Sequence, residues 1–560
     1  MLLPRLLLAL LPGALATSPA LAQTRVYELR GAMPGDSLGF AVDGAGDVDA
    51  DGYDDLIVGA FGVGTFGAPE GAAFVFSGRD GSQLLRVDGA GPSESCGFSV
   101  SGAGDADADG CADVLVGCPF GATGTGYALL ISGRDGSLLR RFDGEAAGDY
   151  FGISLDGAGD VDADGYDDVV VAAHQHDATG LNAGKVRVFS GRDGSILHEL
   201  FGSAPEEEFG KSCAGAGDVD ADGYADLVVG AWFAGAGGSR AGRACVFSGR
   251  DGSVLHTFDG DAPFINLGRA VAGAGDVDAD GYADLVVGAH QDDVGGQNAG
   301  SARVYSGRDG RQLFVFRGAD AWDLFGQSVA GAGDLDGDGY ADLAVGANWD
   351  DDAGPNAGTV RAFSGRDGSE LFTLTGPAPG AELGFAVAGA GDVNADGTPD
   401  LVAGAWLDGP GSAGVYLGGC PAPRSYCRGK RNSAGCVPRA VFSGAPVLSI
   451  GADDFAVGAE DVLNQETGIV FWGAARAEKP FFGGTLCVEA PLVRTPPRSS
   501  GGSTAGSDCS GTLEFRFTRA YMSAAGMAAG SSYFVQCWMR DRGLGDGVGL
   551  SDAVVFGVCP

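Results

Sequence analysis

Histidine is nearly absent from this sequence, five in 560 residues, and basic residues are outnumbered, 35 Lys and Arg against 74 Asp and Glu. The first scarcity leaves little room for histidine-based catalysis or a multi-histidine zinc site. The second, a formal net charge of -39, disfavours nucleic acid and anionic membranes as partners. Beyond the N-terminus no apolar run approaches the ~18 residues that span a bilayer. A G-x-S-x-G elbow, an HExxH pair, a phosphate loop and a CxxC pair are all missing. What abounds is glycine, 102 residues where average usage would give roughly 40. Hydrophobic residues still make up 45%, enough for a large core. The composition describes a folded, turn-rich, acidic chain, and the carboxylates need an explanation.

The first 22 residues carry Arg5, an apolar run from Leu6 to Leu15 and the small-residue pattern Ala20-Leu21-Ala22. This reads as a secretory signal peptide cleaved after Ala22, so the mature chain is expected to be secreted, extracellular or in the cell envelope. Calcium is abundant there and disulfides persist.

The phrase GAGDVDADGYADLVVGA returns along the chain, its first aspartate standing at Asp47, Asp105, Asp160, Asp218, Asp276, Asp334 and Asp392. The intervals are 58, 55, 58, 58, 58 and 58 residues. A second phrase, SGRDG, begins at Ser77, Ser132, Ser190, Ser248, Ser306 and Ser364, each 28 residues before the next first aspartate. In the third unit four short strands are expected: Phe151 to Leu155, Asp168 to Ala173, Lys185 to Phe189 and Ser195 to Leu200, with an Asp-Gly hairpin turn between the last two. Four antiparallel strands repeated seven times predict an all-β, seven-bladed propeller. The third strand type last occurs at Val415 to Leu417, and the fourth type occurs only six times. Arg25 to Leu29 aligns with the missing one, so an N-terminal strand is expected to complete the last blade and close the ring, leaving no free edge.

Between first and second strands every unit has D-x-D-x-D-G-x-x-D, with asparagine at the third place in the last. Position 1 is the aspartate series already given. Position 3 is Asp49, Asp107, Asp162, Asp220, Asp278, Asp336 and Asn394; position 5 is Asp51, Asp109, Asp164, Asp222, Asp280, Asp338 and Asp396. Position 9 is Asp55, Asp113, Asp168, Asp226, Asp284, Asp342 and Asp400. Position 7 offers a backbone carbonyl, from Tyr53, Cys111, Tyr166, Tyr224, Tyr282, Tyr340 and Thr398. Alternate spacing turns the carboxylates toward one centre, glycine at position 6 permits the bend, and hard oxygen donors without sulfur or imidazole select calcium. One Ca2+ per blade, up to seven, is expected, with the Asn394 loop weakest by charge count.

These loops, with Phe151-Gly152, Phe209-Gly210 and Phe325-Gly326 before them and Gly59-Ala60-Phe61 or Gly117-Cys118-Pro119 after them, resemble FG-GAP repeats, the blades of the integrin α-chain propeller. The resemblance covers roughly residues 24 to 419. It implies calcium bound in the hairpin loops at the positions given, here in all seven blades.

Calcium loops and SGRDG turns are expected on one face and the variable loops on the other. The variable face carries His174, His176, Trp232, His290, Trp349 and Trp406, candidate contacts for a glycan or protein; the same tryptophans also read as plugs between blades. His174, His176 and Asp177 together also read as a metal set. After Gly419 the repeats stop. Seven of twelve cysteines fall in the last 141 residues, and alternating segments including Val447 to Ile450, Ile469 to Ala474, Thr512 to Phe517, Tyr533 to Trp538 and Ala553 to Val558 suggest a small β-sandwich. Cys427 with Cys436 reads as the local disulfide, one of the seven cysteines is left over, and Thr495 to Ser507 reads as a flexible loop. The expected layout is thus signal peptide 1–22, propeller 23–419 and disulfide-containing module 420–560. The functional expectation is a secreted binding or adhesion module for an extracellular protein or glycan, without an enzyme's motifs; an extracellular enzyme scaffolded on the propeller and a structural envelope component are the alternatives.

Overall fold

A computed structural model describes residues 25–65, 67–418, 424–427, 429–443, 455–481, 484–504, 508–527, 532–545 and 547–557. The expected signal peptide and the Val447 to Ile450 strand lie outside them.

Seven four-stranded antiparallel sheets account for the repeats. In blade three the strands are Leu155–Gly159, Asp168–Ala173, Lys185–Phe189 and Ile196–Phe201. After its leading Asp168 the second strand is apolar because both its faces are covered, and all six residues are buried. The outer strand alternates and is half exposed. Inner strands are rich in glycine and alanine because each packs on its neighbours around the axis. A Cβ at Gly44 would stand 2.8 Å from the carbonyl oxygen of Gly389 in the adjacent inner strand.

The inner strands Ala41–Gly46, Ser99–Gly104, Leu155–Gly159, Phe209–Gly217, Val271–Gly275, Ser328–Gly333 and Ala386–Gly391 touch in that order, and the last touches the first. The ring therefore closes. Arg25–Arg30 pairs antiparallel with Ser412–Tyr416, Leu29 opposite Ala413, as the outer strand of blade seven. The N-terminal strand closes the ring as expected.

Three expected boundaries move. The inner strand of blade three begins at Leu155 rather than Phe151, because Phe151 makes a parallel bridge to Gly126 of the preceding blade and Gly152, at φ 87°, turns the corner. The outer strand begins at Ile196 because the SGRDG turn is longer than a two-residue hairpin: Ser190 N donates to Ser195 O and Gly194 N to Ser190 O. The third strand of blade seven is Ser412–Tyr416, since it must pair with Arg25–Arg30. The 55-residue unit carries a one-turn helix, Gly121–Gly124, in its second-to-third loop.

The C-terminal part builds two main sheets over one core. Ser532–Arg540 and Val548–Gly557 sit in the larger with Thr467–Gly473; Arg439–Ser443, Ala456–Val462 and Gly511–Arg516 form the smaller. Phe455, Val457, Phe515 and Phe517 pack against Trp472, Val535 and Phe556 between them. Cys427 does not pair with Cys436: the bridges are Cys427–Cys487 and Cys436–Cys509. Cys436 is held in its own turn, its N–H donating to Asn432 Oδ1, and both bridges join segments distant in sequence. Cys537 is free and buried. Thr495 to Ser507 is not wholly a loop, since Arg498–Ser499 pairs with Thr467 and Gly468, and Thr495 Oγ1 donates to Val470 O at 2.8 Å. No helix among the described residues is long and apolar enough to cross a membrane.

Candidate metal centres and the opposite channel mouth

Each aspartate loop is organised by its own carboxylates. In blade one Asp47 accepts from Asp51 N at 3.0 Å and Gly52 N at 2.9 Å, and Asp51 accepts from Tyr53 N at 3.1 Å. Position 9 is fully buried and clamps two hairpins: Asp55 accepts from Val48 N in its own loop and from Gly78 N in the SGRDG turn, both at 2.9 Å. The same pair of bonds recurs at Asp113, Asp168, Asp226, Asp284 and Asp342; in blade seven Gly418 N stands in for the turn glycine at Asp400.

Carboxylate oxygens of positions 1, 3 and 9 lie within 4.8 Å of one another in blades one to five. Burial raises the position 9 acids, to about 6 at Asp55 and Asp226 and about 7 at Asp113 and Asp168. Burial and then the position 5 charge raise Asp49, Asp107, Asp162, Asp220 and Asp278. Such crowding is relieved by a cation. The position 3 side chains also contain unanswered acceptors: Asn394 Oδ1 and Asp278 Oδ1 are buried without a hydrogen-bond partner. The donor set fits a hard divalent cation such as calcium.

Position 5 faces an arginine that the sequence reading missed. Arg79, Arg134, Arg192, Arg250, Arg308 and Arg366 of the SGRDG turns lie 3.5 to 4.0 Å from the position 5 carboxylates. Five of them also cover the position 7 tyrosine, as Arg79 does Tyr53 at 5.7 Å. One positive charge against four carboxylates still leaves room for a divalent ion. The repeated Arg of SGRDG was the available signal, and it was read only as a turn residue.

The loops are also tied to one another. The amide of position 8 donates to the position 1 carbonyl of the preceding loop, from Ala112 to Asp47, Asp167 to Asp105, Ala225 to Asp160, Ala283 to Asp218 and Ala341 to Asp276, and across the closure from Asp54 to Asp392. Pro399 has no N–H to give, so the belt is interrupted between blades six and seven.

On the opposite face the candidate residues separate into groups. His174 and His290 are buried, each 6% exposed; His290 stacks near Trp232 at 6.1 Å, and His174 lies beside Tyr150 at 6.0 Å. Trp232 Nε1 donates to Glu208 at 2.8 Å, its ring stacks on Phe233 at 4.0 Å, and Lys211 and Arg269 lie over it at 5.3 and 5.6 Å. Trp406 packs with Phe40 and Phe385, both at 5.5 Å, which agrees with the plug reading. Trp349 is exposed and stands apart. His176 Nε2 meets Glu145 at 2.8 Å, whereas His174 faces Glu208 at 3.9 Å and Asp177 accepts from Asn182 N. His174, His176 and Asp177 therefore do not form one metal set, because each is engaged by a different neighbour. The reading also missed Cys96–Cys118, a bridge between an FG corner and a GAP corner with its Cα atoms 4.1 Å apart.

The FG-GAP repeat model matches residues 267–305 and 325–363, and the FG-GAP-like repeat model matches 160–229. Integrin alpha-5 of Xenopus laevis is 34% identical over 209 residues, 34% of this chain and 20% of its own length. Integrin alpha-8 of Gallus gallus is 32% identical over 233 residues, 38% of this chain and 21% of its own. The chain thus spans about a fifth of the length of these curated relatives. Blades, loops and matches agree: this is an FG-GAP repeat protein with an integrin alpha-like propeller.

Proposed function

We propose that the chain is an exported, calcium-binding propeller that serves as a non-catalytic binding or adhesion module for an extracellular protein or glycan. The observation that carries the reading is the convergence of the position 1, 3 and 9 carboxylates within 4.8 Å in loop after loop. Calcium would be held by the side chains of positions 1, 3, 5 and 9 and the carbonyl of position 7. It supplies structural charge rather than chemistry, neutralising carboxylates on hairpins that the position 9 side chain already joins. The disulfides fit an oxidising compartment, and similarity to integrin alpha chains supports a binding role. In this reading the leader is removed after Ala22, the propeller extends to about residue 419, and residues 420–560 form a partner or anchoring unit.

Calcium titration of chelator-stripped protein, followed by calorimetry and thermal melting, tests it. A site filled to 100 times its Kd stabilises the fold by about 2.7 kcal/mol, so several sites give a large rise in Tm. The Asn394 loop should fill last. A Tm unchanged between saturating calcium and excess chelator overturns the metal reading.

A further inference from the structure

The side chain after each FG corner lines one cavity of about 540 Å3 on the propeller axis: Phe40, Phe98, Ile153, Lys211, Arg269, Gln327 and Phe385. Around the ring these residues sort by character. Blades seven, one and two supply phenylalanines that touch, Phe40 lying 4.7 Å from Phe98 and 4.8 Å from Phe385, and Ile153 extends the arc. Blades four and five supply Lys211 and Arg269.

Neither cation is held in a close ion pair. Among the described residues neither makes an ion pair within 4.0 Å or a side-chain hydrogen bond; both rest on Trp232, whose N–H donates to the nearby Glu208. Burial and then the charge of Arg269 pull Lys211 down to about 8, against the smaller opposing pull of Glu208, and burial lowers Arg269 to about 10. At the same end the Nδ1 atoms of His174 and His290 are buried without a partner. Deeper in the channel Asp43 and Asp156 are satisfied, Asp43 by Gly102 N and Asp156 by Gly215 N and by Ser101 Oγ at 2.6 Å. Their presence keeps a negative group at the rim.

We propose that this mouth, opposite the aspartate loops, binds an amphipathic organic anion, with its anionic head between Lys211 and Arg269 and its apolar body against Phe40, Phe98 and Phe385. The charge complement and the apolar arc share one cavity, so a ligand with only one of the two features leaves half the site unanswered. The inference deepens the binding-module reading by naming a ligand class, and it makes no use of the metal loops.

Fluorescence titration of the full chain in saturating calcium with 8-anilinonaphthalene-1-sulfonate tests it. Saturable binding is expected, displaced by phenylacetate and not by benzylamine. Lys211→Met with Arg269→Met should weaken binding at least about ten-fold, the scale of a lost charge-assisted contact. Phe40→Ala should weaken it less. Because the double variant removes two half-buried charges that make no close ion pair, it should fold with an unchanged or higher Tm, so loss of binding is not loss of fold. Absence of binding, equal displacement by benzylamine, or unchanged affinity in the double variant overturns the proposal. None of these results bears on the calcium titration, whose failure would be read separately as an unmoved Tm.

Discussion

The two ends of the propeller are made from the same strands, yet one repeats seven times almost unchanged and the other differs from blade to blade. At the aspartate end the side chains bond chiefly to backbone. Position 1 bonds the N–H groups of positions 5 and 6, position 9 bonds position 2 and the SGRDG glycine, and amides join loop to loop. Each group is fixed by the path of the chain, so little besides aspartate serves. At the opposite mouth the contacts join side chain to side chain, as Trp232 with Glu208 and Lys211 of its own blade and with Arg269 of the next. There a blade can change its residue provided its neighbour accommodates it. One end of the fold therefore carries the repeat, and the other carries the individuality that recognition requires.

The sharpest way to break this contrast is to remove a clamp. Asp226 is fully buried and accepts from Val219 N at 2.7 Å and Gly249 N at 2.9 Å. Asp226→Ala leaves both amides without an acceptor and should cost about 4 kcal/mol, measured by urea denaturation in excess chelator so that metal is out of the balance. Asp220→Asn, which removes a crowded charge from the same loop, should be neutral or slightly stabilising under those conditions. If the two variants lose the same stability, the aspartate end is not held by its backbone clamps.

The opposite mouth should respond instead to acid. Burial, then the charges of Arg269 and Lys211, depress His290 to about 3, while in the unfolded chain it titrates near 6.5. Between these values the unfolded state holds the extra proton, so this contribution is intact above about pH 6.5 and is lost as pH falls toward 3. His290→Gln should flatten the stability curve by about 2 kcal/mol between pH 7.5 and pH 5. Parallel curves for the variant and the parent would show that this imidazole is not held neutral by the mouth.

The aspartate end was legible in the sequence and the mouth was not, for a physical reason. Loop ligands follow one another at fixed spacing, and the second strand, such as Asp168–Ala173, runs from the last loop aspartate through an unbroken apolar stretch, so its limits can be read directly. The ring closure by Arg25–Arg30 followed from counting strands. Inner strands such as Val271–Gly275 are glycine and alanine, with no hydrophobic period to set their start, so the Phe-Gly corner was taken into the strand. Lys211 and Arg269 stand 58 residues apart, and only the packing of blade four on blade five places them side by side. Cys427–Cys487 and Cys436–Cys509 likewise depend on how distant strands meet.

The smallest test concerns strain that the uniform end repeats. Position 4 lies in the left-handed region in every loop, and six of the seven place alanine there: Ala50, Ala108, Ala163, Ala221, Ala279 and Ala395, at φ 53° to 59°. The seventh has Gly337, at φ 75°, with open space where a Cβ would stand. Alanine costs roughly 1–2 kcal/mol in this conformation, and glycine gives part of that back through the freedom it gains when unfolded. Ala279→Gly should therefore stabilise the chain by about 0.5 kcal/mol, and Gly337→Ala should destabilise it by a similar amount. Urea midpoints in chelator and in calcium read both. If the loop is strained only by its backbone, the two changes are opposite in sign and insensitive to calcium. If the gain from Ala279→Gly disappears when calcium is added, the alanine instead holds the position 3 and position 5 carboxylates ready for the ion, and the repeated strain belongs to binding rather than to the fold.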